Sequence, residues 1–309
     1  MGTQSVEAES GAESAGNRWT HGFDLARVTA IDLAVLAGHM LLYPTGFLPE
    51  RAPGPPRPPH PSAPRTRAER TGGAAWPSGH PDLSHRPAPA RLPAVGPILP
   101  PVVLLHGFVD NRSAFAVLRR SLLHHGWTRV QALNYSPLTC DIRSAAEALG
   151  PHIEQVCTES GHAQVDIVGH SLGGLVARYY VQRLGGDRWV RTLVTLGTPH
   201  AGTRAIPALA PHPLALQMRP GSEVLTELAG PAPDCRTRFV AFWSDLDQLM
   251  IPVEAARIEH ADLSARNIRV HGVGHLALPV TGSVAAEIRR ALSDPGPTAP
   301  AIEIGRAHV

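Results

Sequence analysis

Ser171 is the residue whose surroundings most favour covalent chemistry. It sits in Gly169-His170-Ser171-Leu172-Gly173, after a short apolar run from Val165 to Val168. Behind it, Leu172, Leu175, Val176 and Tyr179 recur at near-helical spacing. A strand that turns sharply into a helix at Gly-x-Ser-x-Gly strains the serine backbone and pushes its hydroxyl out of the sheet edge. The same turn points the Leu172 amide and the helix N-terminus at whatever the serine attacks. A serine hydroxyl is a poor nucleophile at neutral pH, so it needs a base in contact and a third group to orient that base. In a sheet of this kind the acid and the histidine follow the serine along the chain, each on a loop after a later strand. His275, in Val270-His271-Gly272-Val273-Gly274-His275, lies just past the last expected strand and is the candidate base. His271 sits on the strand end and is expected to face structure. His200 precedes any eligible acid and reads as a loop histidine near the cleft mouth. Asp247, just before Leu249-Met250-Ile251, is the candidate acid, with Asp245 the alternate. The oxyanion donors are expected to be the amides of Leu172 and of Phe108, the latter in His106-Gly107-Phe108 where glycine lets the backbone turn and His106 braces the loop.

These residues need a scaffold, and the hydrophobic pattern supplies one from residue 101 onward. Strands are expected at Pro101 to Phe108, Arg129 to Asn134, Val165 to Val168, Arg191 to Leu196, Arg238 to Trp243 and Asn267 to Val270. Helices are expected between them. One is capped by Ser113 with Phe115, Leu118, Leu122 and Leu123 as its apolar stripe. A longer one is capped by Asp141 and kinked or split at Gly150-Pro151. A short helix near Pro252 to Ile258 and a final helix from about Ser283 to Leu292 complete the alternation. Alternating strands and helices with short connections argue for an α/β domain, a mostly parallel sheet with helices on both faces. The segment 204–235 interrupts the alternation. It is Pro-rich yet carries Ile206, Leu209, Leu214, Leu216, Met218, Leu225 and Leu228, which could line an acyl groove or pack on the domain as a cap.

The expected domain plan is an N-terminal tail and apolar helix over 1–50, a Pro/Arg-rich linker over 51–100, the catalytic domain over 101–295 and a loose tail over 296–309. About half of the 31 prolines fall in the linker, too many for a packed core. Val28 to Leu48 is close to membrane-spanning length, but Asp32 and His39 interrupt it and Pro44 breaks its end. It is read as a membrane-associating helix, a helix docked on the domain, or an unusual export signal.

Composition removes other classes. The chain has 309 residues, 43% hydrophobic and 17% charged, a globular balance. Its net charge of +2 comes without a basic run interleaved with aromatics, so nucleic acid is not an expected partner. Lysine is absent from the chain. The cysteines Cys140, Cys157 and Cys235 and the 17 histidines show no zinc-type spacing, so no metal is expected. A Cys140–Cys157 bridge is compatible with the spacing, and three reduced thiols are the simpler reading.

The segments Leu104-Leu105-His106-Gly107-Phe108, Val165 to Gly174, Leu193-Val194-Thr195-Leu196-Gly197-Thr198-Pro199 and Val270 to His275 together resemble the α/β-hydrolase lipases and esterases. They are most similar to the compact bacterial triacylglycerol lipases and their actinobacterial relatives. The resemblance covers roughly residues 101 to 292. It implies an α/β-hydrolase fold, Ser171, Asp247 and His275 as a triad, and Phe108 and Leu172 as the oxyanion hole. It also implies hydrolysis of lipid-like carboxylic esters through an acyl-serine, with water as the second nucleophile and no cofactor. An acyltransferase using the same triad, or a membrane-tethered binding protein, are the alternatives. The longer 204–235 segment departs from the smallest lipases of this type.

Overall fold

The computed structural model describes residues 24–38, 99–108, 110–135, 141–207, 210 and 212–294. The expected N-terminal tail, the linker up to residue 98, the second half of the 28–48 stretch, Cys140, Leu209 and the C-terminal tail lie outside them. Six strands form one all-parallel sheet in the order β2-β1-β3-β4-β5-β6. They are β1 (Val102–Leu105), β2 (Val130–Leu133), β3 (Val165–His170), β4 (Val190–Leu196), β5 (Arg238–Ser244) and β6 (Ser264–Val270). The helices are α1 (residues 24–38), α2 (Ala116–His124), α3 (Ile142–Ser160), α4 (Leu172–Arg183), α5 (Pro213–Gln217), α6 (Glu223–Ala229) and α7 (Gly282–Ser293).

Because side chains alternate across a strand, each central strand feeds two cores. Val102 and Leu104 of β1 join Val168, Val194 and Val240 beneath Phe115, Leu118 and Leu122 near α2 and Val284, Ile288 and Leu292 of α7. Val103 and Leu105 point the other way, joining Ile167, Leu193 and Phe239 beneath Ile142, Leu149 and Ile153 of α3 and Leu175 of α4. Helices therefore cover both faces, which is why β1 reads as an unbroken apolar run and β3 as one interrupted only by Asp166 before its Gly-His end. At the N-terminal end of the sheet Arg191 clamps the buried Asp166 with two hydrogen bonds of 3.0 and 2.6 Å and also donates to the Leu292 carbonyl at 2.7 Å, tying β3 and β4 to α7.

Several local expectations are corrected. The cap at residue 113 belongs instead to Asn111, whose side chain accepts the Ser113 amide at 2.9 Å, because a 3-10 turn over Arg112–Phe115 precedes α2 and moves the start upstream. Leu123 lies on the outer face of α2 and is exposed. Asp141 caps α3 as expected, accepting from the Ser144 amide at 2.7 Å; of the two outcomes expected at Gly150-Pro151 the split does not occur, and one helix of 19 residues carries the proline inside it. Burial of Ile142, Leu149, Ile153 and Val156 along its length offsets the missing amide hydrogen bond. The expected helix near Pro252 is a short 3-10 turn over Val253–Ala256. Cys157 is a buried free thiol and Cys235 a half-buried one, so no bridge forms at Cys157.

In the 204–235 segment Leu216 is exposed, and most of the other described apolar residues divide between two tasks. Leu214, Val224, Leu225 and Leu228 are buried in the core on the α3–α4 face, while Ala205, Ile206 and Met218 reach the wall of the site cavity. Among the described residues no helix is long and apolar enough to cross a membrane. α1 packs on the domain, with Val28 buried, Thr29 Oγ1 accepting from Gln248 at 2.7 Å and Asp32 bound to the amide of Ala277.

Candidate active site

The chain leaves β1 toward β2 and then crosses back to β3, so the C-terminal ends of β1 and β3 are adjacent at the point where strand order reverses. Open parallel sheets bind ligands at such a crevice. Leu105 lies in register with Gly169, which sets the loop His106-Gly107-Phe108 beside Ser171. A Cβ on Gly107 would stand 3.3 Å from the Ser171 Cβ. His106 is buried, stacks on Tyr135 at 4.5 Å and bonds the Gly107 carbonyl through Nδ1 at 2.8 Å; Tyr135 donates to the His106 carbonyl. Burial holds the His106 imidazole below its ordinary pKa, so it remains a neutral brace of this loop.

Ser171 joins β3 to α4 at φ 51° and ψ −120°, the only non-glycine residue with positive φ among the described residues. Such a conformation costs on the order of 1–3 kcal/mol and persists only because its surroundings fix it. The flanking glycines make the corner geometrically feasible. A Cβ on Gly169 would lie 2.6 Å from the Gly174 backbone, and one on Gly173 2.3 Å from the Leu105 carbonyl oxygen. The Ser171 amide donates to the Leu196 carbonyl at 2.9 Å, and the hydroxyl-bearing residue lines a cavity of about 160 Å³. Phe108, Met218, Met250 and His275 line the same cavity. Leu172 is the first residue of α4, and Phe108 lines the cavity with its ring edge-on to His212 at 5.2 Å.

His275 and Asp247 meet across 28 residues of sequence, Nδ1 to Oδ2 at 2.8 Å, both buried. Asp247 is held from the other side as well: its Oδ1 accepts the amides of Leu249 at 2.9 Å and Met250 at 3.1 Å. Burial is the largest influence on the His275 imidazole and pushes its pKa down. The charge and hydrogen bond of Asp247, aided by Asp32 and Asp110, outweigh it and leave the pKa above the ordinary value. With Nδ1 engaged by Asp247, Nε2 is the nitrogen left to face a reacting group. Asp245 is engaged elsewhere. It accepts from His271 at 2.7 Å, the Gly272 amide at 3.0 Å and Arg269 at 3.3 Å, pinning the end of β6. His271 does not face the interior as expected; its ring is 71% exposed.

His200 is also corrected. It is buried rather than open to the cleft mouth, between Thr195 Oγ1 at 2.9 Å and Arg178 at 3.3 Å, and burial holds its pKa well below the ordinary value. Three contributors were missed by sequence reasoning. Gly197, at φ 53°, leaves room for the Asp247–His275 pair: a Cβ there would be 2.9 Å from Asp247 Oδ2 and 3.0 Å from His275 Nδ1. His170, beside the serine, is buried; its Nε2–H donates to the His275 carbonyl at 3.1 Å, and Asp110 stands 3.4 Å from its Nδ1. The third is Asp32 of α1. The positive-φ requirement at Gly197 follows a strand end, a signal available in the sequence. The other two have no local signal. Among the described residues no cluster of His, Cys, Asp or Glu could hold a metal ion.

A parallel sheet carrying a strained serine at a strand–helix corner, with helices on both faces, defines an α/β hydrolase. Residues 101–257 match the profile of the palmitoyl protein thioesterase family, and the chain belongs to that family. It is 31% identical over 111 residues to a triacylglycerol lipase of Pseudarthrobacter phenanthrenivorans, an alignment covering 33% of this chain and 34% of that one. It is equally similar, 31% over 111 residues, to a triacylglycerol lipase of Burkholderia plantarii, covering 33% and 30%. The chain thus spans about a third of the length of the curated relatives it matches. Among solved structures, Aspergillus fumigatus lipase B superposes with a TM-score of 0.55 at 19% identity, covering 65% of this chain and 54% of that one. The mature form of a Bacillus licheniformis lipase superposes with a TM-score of 0.53 at 16% identity, covering 63% and 92%. These likenesses establish the fold.

Proposed function

We propose that the protein is a serine hydrolase that cleaves carboxylic esters of lipid-like small molecules through an acyl-Ser171 intermediate. The observation that carries this reading is that His275, held by the buried Asp247 at 2.8 Å, lines the same cavity as the strained Ser171. In the proposed cycle the Ser171 hydroxyl attacks the ester carbonyl carbon while His275 Nε2 takes its proton. The amides of Leu172 and Phe108 receive the oxyanion, a contribution of about 2.7–4 kcal/mol for each such donor. The tetrahedral intermediate collapses, the carbon–oxygen bond to the leaving group breaks, and the imidazolium returns its proton to the departing alcohol. Water then attacks the acyl-serine with His275 as base, releasing the acid and restoring the serine. Asp247 holds the imidazole in the tautomer with Nδ1 protonated throughout.

A thioester is the second reading, favoured by the family match over residues 101–257. The same triad would attack it, with a thiol as leaving group. The cavity of about 160 Å³ is smaller than the ~300 Å³ at which sites for drug-sized ligands begin, so a short acyl ester is the apt first substrate. The test compares p-nitrophenyl butyrate with butyryl-thiocholine on the purified protein and on Ser171→Ala. Hydrolysis by the parent and its loss in the variant is expected. A parental rate in Ser171→Ala refutes the assignment, and the ratio of the two substrates separates ester from thioester preference.

A further inference from the structure

Asp32 is the sole charged residue between Val28 and Leu48, an acid in an otherwise apolar stretch, and a hydrolase mechanism built on the triad leaves it without a task. The fold places it on the loop that carries the base. Its Oδ1 accepts the amide of Ala277 at 3.1 Å across 245 residues of sequence. On the other side of His275, the space above Gly274 is filled by the same carboxylate: a Cβ at Gly274 would lie 2.2 Å from Asp32 Oδ2. Asp32 therefore spans both shoulders of the histidine, and glycine at 274 is what lets it approach. The rest of α1 is fastened to the neighbouring loops. Thr29 accepts from Gln248, next to Asp247 in the chain, and Arg27 comes within 3.7 Å of where a Cβ on Gly272 would be.

We propose that α1 is a clamp on the catalytic base, with Asp32 as a positioning residue that fixes the His275 loop through its backbone amide and adds a negative charge behind the imidazole. The clamp works opposite His170, whose Nε2–H holds the His275 carbonyl from the sheet side at 3.1 Å. One side grips the carbonyl of the base and the other the amide two residues on, so the backbone that carries the ring is held beside Asp247. The charged or titratable groups facing His275 among the described residues come from four elements: Asp247 after β5, His170 at the end of β3, Asp110 after β1 and Asp32 on α1. Three of these are carboxylates. Their field favours the imidazolium, the form the base must adopt when it has taken the serine proton. Burial, with the charge of Asp247, holds the Asp32 carboxyl above its ordinary pKa, only partly offset by the amides of Ala277 and Leu276 and the charge of His275.

The inference rests on the hydrolase reading, and the test separates the two. Full-length parent, Asp32→Asn and Asp32→Ala are assayed on p-nitrophenyl butyrate, with active sites counted by fluorophosphonate titration and melting followed by circular dichroism. Asp32→Asn keeps an oxygen for the Ala277 amide but removes the charge. It is expected to hold kcat per active site within about threefold, while the acid limb of kcat/KM moves to lower pH. Asp32→Ala loses both and is expected to lower kcat about tenfold with KM within twofold, because Asp32 does not line the cavity. The result that overturns the proposal is a parental acid limb and parental kcat per active site in both variants, whether or not their melting temperatures fall. Absence of esterase activity in the parent would instead strike the hydrolase reading itself.

Discussion

Gly197→Ala offers a perturbation whose consequence can be worked from the structure. Gly197 follows β4 at φ 53°, a region in which an alanine costs roughly 1–2 kcal/mol. Its new methyl would stand 2.9 Å from Asp247 Oδ2, 3.0 Å from His275 Nδ1 and 3.0 Å from Leu278 Cδ1. Ordinary contact begins at 3.4 Å, so the acid–base pair must yield by about half an ångström or the β4 loop must move. Asp247 cannot simply retreat, because its other oxygen is bound by two amides of the 247–250 turn. The displacement therefore falls on the 2.8 Å bond that orients the imidazole. A misplacement of about 1 Å costs on the order of 10²-fold in rate, so half of that is expected to lower kcat about tenfold. KM should stay within twofold, since Gly197 does not line the cavity. The strain should lower Tm by about 2–8 °C at 2–4 °C per kcal/mol for a domain of this size. The assay is steady-state hydrolysis of p-nitrophenyl butyrate with melting by circular dichroism. An unchanged kcat with an unchanged Tm would refute the reasoning that this glycine makes room for the pair.

Further outcomes follow from the same geometry. Asp247→Asn should lower kcat by about 10³–10⁴-fold, because an amide at this position favours the wrong imidazole tautomer, whereas Asp245→Asn should stay within about threefold. Kinetics of the two purified variants decide this, and a larger loss in Asp245→Asn would reverse the assignment. The His275 pKa stands above its ordinary value, and the base works only when neutral, so kcat/KM should fall as pH drops through an apparent pKa higher than that of a free imidazole. An acid limb below that value would show that burial, rather than the carboxylates, governs the base. Arg191→Ala leaves the buried Asp166 carboxylate without its partner, a loss on the order of 3 kcal/mol that should lower Tm by about 6–12 °C. Because the pair lies at the sheet end opposite the cavity, kcat of the folded protein should be unchanged.

Local signals made the fold legible. Val102 to Leu105 and Val165 to Val168 declare buried strands by their apolar runs, and Gly169 and Gly173 declare the corner because no side chain fits there. Asp141 announced its helix by capping chemistry that acts within three residues. Where a cap depended on an intervening 3-10 turn, as at Asn111, the sequence pointed two residues too late. The continuity of α3 through Pro151 was hidden because it depends on burial against the sheet, which no local pattern records. The candidate site was legible to the extent that its members follow strand ends. Asp245 stands nearer the end of β5 and Asp247 nearer the apolar turn that follows, and their different partners depend on how the 247–250 turn and the β6 end meet. His200 looked like a loop residue because its burial comes from Arg178 on another element. Asp32 was invisible for the strongest version of the same reason, its partner lying 245 residues away.

The central claim is that Ser171 becomes covalently acylated. Peptide mapping by mass spectrometry after treatment with a fluorophosphonate tests it most directly. One adduct per chain is expected, on the peptide containing Ser171, absent in Ser171→Ala and formed far more slowly in His275→Ala. An adduct on another residue, or ester turnover by a protein that takes up no label at Ser171, would contradict it.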